Sequence, residues 1–175
     1  YNNGVYLSTN NGQNWTQTAL NNLSVNSLAI SGNNIFAGTE NNGVYYSTNN
    51  GQSWLQKGLD NKYVKALAIS GSNILAGAYN GGIYLSTNSG QGWTQTLMYF
   101  QTVTSFTGSG NNIFAGTDSY GVYLSTNNGQ NWTQTALNFQ AVSTLAMSGN
   151  NIFAGTDYYG VFLSTNNGQN WTNTA

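Results

Sequence analysis

A strict internal period constrains this chain more than any other feature. The Gly that opens each Gly-[Val/Ile]-[Tyr/Phe] run recurs at Gly4, Gly43, Gly82, Gly121 and Gly160, every 39 residues, and the five Trp keep the same spacing. Gly4 to Asn21 returns without a change as Gly121 to Asn138. A repeat of roughly 20–50 residues is one supersecondary unit that buries its apolar faces only by stacking on its neighbours. Units this alike share one fold, so the positions at which they differ carry the information about function. The 175 residues hold four units and 19 residues over.

Within a unit, four short apolar segments alternate with turn chemistry: Val25 to Ser31, Asn34 to Gly38, Val44 to Thr48 and Trp54 to Lys57, repeated in phase downstream. Their length, their β-branched and aromatic content and the intervening Ser-Gly-Asn and Asn-Gly pairs read as antiparallel strands joined by hairpins, with no helix needed. Four strands in about 40 residues is the signature of a β-propeller blade. The expected fold is therefore all-β, a propeller of four-stranded antiparallel blades. Residues 1–19 form a half-blade of the C-terminal type, and 20–58, 59–97, 98–136 and 137–175 form full blades, in one repeat array. Consecutive apolar residues Ile35, Phe36 and Ala37 fit a sheet covered on both faces, and the small Ala29, Ala37 and Gly38 suit crowding near an axis. A parallel β-helix is the rival, but its coils are shorter and less hairpin-like.

Composition removes most chemistry. There is no Cys, no His and no Pro, and the only bases are Lys57, Lys62 and Lys65. Thiol nucleophiles, His-based dyads and the usual zinc, haem and iron–sulfur ligand sets are excluded, and no metal or cofactor is expected. A net charge of −1 supplies no basic footprint for nucleic acid. No apolar run reaches the roughly 18 residues that span a bilayer. Charged residues make up 4% against about 25% in ordinary soluble domains, yet the regularly spaced aromatic and aliphatic residues demand a folded core rather than a disordered polar tract.

Five segments read Ser-Thr-Asn-x-Gly-Gln-x-Trp. Their fixed positions are Ser8, Asn10, Gly12 and Trp15; Ser47, Asn49, Gly51 and Trp54; Ser86, Asn88, Gly90 and Trp93; Ser125, Asn127, Gly129 and Trp132; and Ser164, Asn166, Gly168 and Trp171. They resemble the Asp-box, S-x-D-x-G-x-x-W, of the sialidase-like (BNR) propeller family, with Asn in place of the Asp in every copy. The resemblance covers essentially the whole chain. It implies that these residues are structural, marking the hairpin between third and outer strands. Asn retains an acceptor oxygen and the Asx-turn capacity, Gly takes a backbone conformation other residues resist, and Trp packs its ring onto the blade. Sialidase chemistry does not transfer, because it grips the substrate carboxylate with arginines and this chain has none.

The copies disagree in two loops. The connection from second to third strand reads Thr39-Glu40-Asn41-Asn42, Ala78-Tyr79-Asn80-Gly81, Thr117-Asp118-Ser119-Tyr120 and Thr156-Asp157-Tyr158-Tyr159. The connection to the next blade reads Leu20 to Ser24, Leu59 to Tyr63, Met98 to Thr102 and Leu137 to Ala141. In a meandering blade both emerge on one face, opposite the box turns. All four acids lie in these loops, as do nine aromatics. Apolar sugar faces stack on such rings while hydroxyls exchange hydrogen bonds with amides and carboxylates. The expected function is non-enzymatic, lectin-like glycan recognition by Tyr79, Tyr99, Phe100, Asp118, Tyr120, Phe139, Asp157, Tyr158 and Tyr159, on a microbial surface or outside the cell. A structural or protein-interaction module using the same loops or an open edge is the alternative. A second alternative is a glycoside hydrolase using Asp118 and Asp157, since xyloglucanases of the resembled group use paired Asp. The lysines are read as solubilising or as partners for Asp60.

Five box hairpins against four inner hairpins leave one half-blade with an exposed edge, which is a pairing liability. The expectation is that a longer parent chain or a partner, a second copy included, completes it.

Overall fold

The computed structural model describes residues 3–96 and 101–174. Its strands form one two-stranded and four four-stranded antiparallel sheets. The half-blade is β1 (Tyr6–Leu7) with β2 (Thr16–Gln17). The first blade is β3 (Val25–Ser31), β4 (Asn34–Thr39), β5 (Val44–Ser47) and β6 (Leu55–Gln56). The second is β7 (Val64–Ser70), β8 (Asn73–Ala78), β9 (Gly82–Ser86) and β10 (Thr94–Gln95), and the third β11 (Val103–Ser109), β12 (Asn112–Thr117), β13 (Val122–Ser125) and β14 (Thr133–Gln134). The fourth is β15 (Val142–Ser148), β16 (Asn151–Thr156), β17 (Gly160–Ser164) and β18 (Thr172–Asn173). The outer strands are shorter than the sequence implied, because pairing there stops after two residues.

Core forms between blades. One apolar cluster joins each adjacent pair: half-blade to first blade around Val5, Leu20 and Ala37, first to second around Phe36 and Val64, second to third around Leu75 and Ile83, third to fourth around Phe114 and Val142. Side chains alternate across the sheet, so Phe36 faces the second blade and Ala37 the half-blade. Small residues set the inner spacing. A Cβ on Gly38, Gly77 or Gly116 would lie 2.6–2.8 Å from a side-chain carbon of Val64, Val103 or Val142, the residue that opens the first strand of the next blade. Each glycine is thus a seat for a buried valine.

The array does not close. Among the described residues no apolar cluster joins the fourth blade to the half-blade. Val161 is 38% exposed where Val44, Ile83 and Val122 are fully buried, and at the other end Ile30 is 63% and Trp15 62% exposed. The half-blade and four full blades are as expected, and both ends of the arc are open.

The repeated turn owes its shape to local chemistry. In all five copies the Ser Oγ donates to the Asn Oδ1 (2.9–3.1 Å) and accepts from the Gly N–H (2.8–2.9 Å). The same Oδ1 accepts from the amide four residues on, at 2.8–3.0 Å. Two consecutive left-handed residues, such as Asn11 (φ 56°) and Gly12 (φ 81°), reverse the chain within the turn, a conformation that Asn and Gly accept most readily. The amide also uses its donor: Asn49 Nδ2 donates to Ser53 Oγ at 2.9 Å, which a carboxylate cannot do. Four indoles donate to the turn's own Gly carbonyl at 3.1–3.2 Å, whereas Trp93 donates to Lys57 of the preceding blade at 2.6 Å. The Trp rings of the full blades cover the junction with the blade before, and among the described residues Trp15 has no such neighbour.

Candidate functional site

The two variable loops of each unit are stitched together by backbone bonds. The second-to-third-strand loop donates to the residue leading into its blade's first strand: Glu40 to Ser24, Tyr79 to Tyr63, Asp118 to Thr102 and Asp157 to Ala141, all at 2.9–3.1 Å. The Gly opening the third strand reaches the segment running on to the next blade, Gly43 to Lys62, Gly82 to Gln101 and Gly121 to Gln140. One continuous loop face results. Outer strands anchor its tips, since Gln134 Nε2 donates to the Tyr120 carbonyl and Asn173 Nδ2 to that of Tyr159, both at 2.8 Å. Thr117 and Thr156 hydroxyls accept from the amides of Tyr120 and Tyr159.

On this rigid base the rings stand in solvent. Tyr79, Tyr120 and Tyr159 are exposed, and Phe139 and Tyr158 reach 74% and 83%. Tyr63 stacks on Tyr79 with centroids 5.7 Å apart and planes at 29°, making a two-ring platform. Phe139 is held at φ 56°, a left-handed conformation that Asn61, its counterpart in the second blade, adopts at φ 63°. A bulky side chain there costs about 1–2 kcal/mol, and strain of this kind concentrates at functional sites. Asp118 is exposed in the third blade and Asp157 in the fourth, where its carboxylate accepts from the Ser143 hydroxyl. Tyr99 and Phe100, expected to join this face, lie outside the described residues.

Two of the lysines lie over aromatic rings. Lys57 Nζ lies 5.5 Å from the Tyr46 ring centroid and Lys62 Nζ 5.7 Å from that of Tyr84, within cation–π reach. Asp60 instead accepts from Gln56 Nε2 at 2.8 Å.

The opposite face carries a groove that sequence reasoning missed. A space of about 270 Å³ opens between the inner hairpins of the second and third blades, lined by Ile69, Ser70, Thr107, Gly108 and Asn112 among others. Its sequence signal is Gly108, which stands where the other blades have Ile30, Ile69 and Met147. Ser70 Oγ lies 3.2 Å from both the Gly110 carbonyl and Asn128 Oδ1, tying this rim to the third blade's box turn.

Stacked four-stranded blades with variable loops on one face define a β-propeller repeat protein. Residues 2–104 match the DUF6242 beta propeller domain, and the chain belongs to that family. No curated protein matches the sequence. Among solved structures it is similar to an ancestral GH74 enzyme (25% identity, TM-score 0.81, covering 98% of this chain and 28% of that one). It is similar to the GH74 xyloglucanase from Xanthomonas campestris (15%, 0.80, 98% and 34%). A third likeness is to the extracellular domain of a putative hybrid two component system of B. thetaiotaomicron (20%, 0.80, 98% and 25%). The chain spans about a quarter to a third of the length of these structures. Among the described residues no helix is long and apolar enough to cross a membrane.

Proposed function

We propose that this chain is a non-enzymatic propeller module that recognises neutral glycans on its loop face. The observation that carries the reading is the strained, exposed Phe139 beside a row of exposed tyrosines on backbone-stitched loops. Apolar sugar faces lie on Tyr79, Tyr120, Phe139, Tyr158 and Tyr159, and Asp118, Asp157 and the Asn-rich loops take the hydroxyls. Tyr99 and Phe100 extend the same surface. Contacts spread over several blades gain strength by avidity on a polymeric ligand. The likeness to a GH74 enzyme and to an extracellular bacterial domain fits a carbohydrate ligand met outside the cell. The turn chemistry supports assigning the five hairpins to the Asp-box type with Asn at the acidic position. They act as scaffold, since all five copies make the same bonds among the box Ser, Asn and Gly and the amide four residues after the Asn.

An array of neutral oligosaccharides and soluble polysaccharides, xyloglucan included, tests this. Binding is expected, and Tyr158→Ala or Tyr120→Ala weakens it by roughly threefold to tenfold, the equivalent of about 0.5–1.5 kcal/mol per ring contact. No binding across the array refutes the reading. The GH74 likeness also raises hydrolysis by Asp118 and Asp157. Release of reducing ends that Asp118→Asn or Asp157→Asn abolishes would replace binding with catalysis.

A further inference from the structure

The two open ends of the arc are complementary, and the sequence of the half-blade says what fits them. Gly4 to Thr18 matches Gly160 to Thr174 except at Tyr6/Phe162 and Gln17/Asn173. At both differences the half-blade carries the residue of the other blades, Tyr45, Tyr84 and Tyr123 for Tyr6, and Gln56, Gln95 and Gln134 for Gln17. The hairpin β1–β2 is therefore a full-quality outer half for a blade, yet among the described residues β1 has only β2 as its hydrogen-bonded neighbour. The inner hairpin β15–β16 binds a near-copy of it, with Phe153 opposite Leu163 and Gly155 opposite Val161.

We propose that two copies of this chain exchange hairpins, β1–β2 of each replacing β17–β18 against β15–β16 of the other, so that eight blades close into a ring. Strand pairing is traded like for like in this exchange. The net gain is a new junction between the fourth blade of one copy and the first blade of the other. Every element of that junction is unfilled in the single chain and filled at the internal junctions. Gly155 meets only Thr144 of its own blade, while Gly38, Gly77 and Gly116 each seat a valine. Val25, the matching valine of the first blade, is half-buried, while Val64, Val103 and Val142 are buried. Leu28 and Ile30 are exposed, while Leu67 and Ile69 pack against the cluster that holds Ala29 and Phe36. The fourth-blade counterparts of those two, Ala146 and Phe153, form the missing wall. A chain with a net charge of −1 meets little repulsion from its copy, the incoming hairpin differs from the one it displaces at only two of fifteen positions, and eight blades lie within the usual propeller range of about four to eight. The displaced β17–β18 hairpins are then surplus on the outside of the ring.

The absence of Cys makes the register directly testable. Two variants of the full chain, Leu7→Cys and Phe153→Cys, are mixed and oxidised, and the products are separated by mass without reduction. The exchange predicts 7–153 heterodimers in clear excess over 7–7 and 153–153 homodimers, and a native mass of twice the chain's 18.7 kDa for the uncrosslinked protein. Ile30→Glu, which touches a side chain exposed in the single chain, leaves the circular dichroism spectrum unchanged and raises the dimer dissociation constant by about tenfold or more. A monomer at every concentration, statistical disulfide pairing, or a dimer indifferent to Ile30→Glu overturns the proposal.

Discussion

Equivalent valines in successive blades offer a controlled measurement of what a neighbouring blade contributes. Val122 is fully buried at the junction of the third and fourth blades, while Val161, the same residue one unit later, is 38% exposed, since among the described residues no blade packs over it. Truncating either to Ala deletes two methyl groups. At about 0.8 kcal/mol each, Val122→Ala loses roughly 1.6 kcal/mol of transfer free energy. Incomplete relaxation of Phe114, Leu137 and Val142 around the hole raises the total to about 2–3 kcal/mol. At Val161 the exposed part of the side chain has little to lose and no cavity forms, so the cost stays below about 1 kcal/mol. For a chain of this length 1 kcal/mol corresponds to roughly 2–4 °C, which puts the Val122→Ala transition about 5–10 °C below wild type and Val161→Ala within about 4 °C. Calorimetry on dilute protein reads both. Equal losses would mean that Val161 is as covered as Val122, and the open arc would be wrong.

Other positions separate local strain from contact. Gly43→Ala places a Cβ 2.4 Å from the Gly58 and Leu59 carbonyls at φ 70°, and the expected cost in urea denaturation exceeds about 3 kcal/mol. Gly32→Ala, at φ 58° with nothing within 4 Å, should cost only the strain of about 1–2 kcal/mol; parity between the two would remove the steric argument. Ser47→Ala leaves the Gly51 amide and Asn49 without their buried partner, at about 1–3 kcal/mol. Asn49→Asp keeps the acceptor and loses only the bond to Ser53, so its denaturation midpoint should barely move. Phe139→Asn relieves the left-handed strain and should raise the melting temperature by about 2–8 °C while weakening glycan binding; a gain in both, or a loss of stability, would contradict the role given to that ring.

Much of the blade was legible because its determinants are short-range. Spacing of Gly43, Val44, Gly51 and Trp54 encodes a hairpin within a dozen residues, and repetition multiplies a weak signal fivefold. The common face of the two variable loops followed from the meander alone. What the sequence hid depends on distant contacts. The seat of Gly38 is defined by Val64 of another blade, and the Trp93 indole leaves its own turn because the Lys57 carbonyl is in reach. Phe139 offers no textual sign of a positive φ beyond its alignment with Asn61. Gly108 was visible as an interruption among Ile30, Ile69 and Met147, but only packed hairpins show that it opens a groove.

Every described Trp sits on the box-turn side and the exposed Tyr79, Tyr120, Tyr158 and Tyr159 sit in the loops, so the indoles report one face and these four tyrosines the other. An NMR titration with a bound neutral oligosaccharide exploits this. Loop-face binding shifts the backbone amides of 118–120, 139 and 157–159 and the ring signals of Tyr79, Tyr120, Tyr158 and Tyr159, with the five indole N–H signals unmoved. Shifts confined to the indoles, or to Ser70, Gly108 and Asn112 around the groove, would place binding on the opposite face and contradict the loop-face assignment.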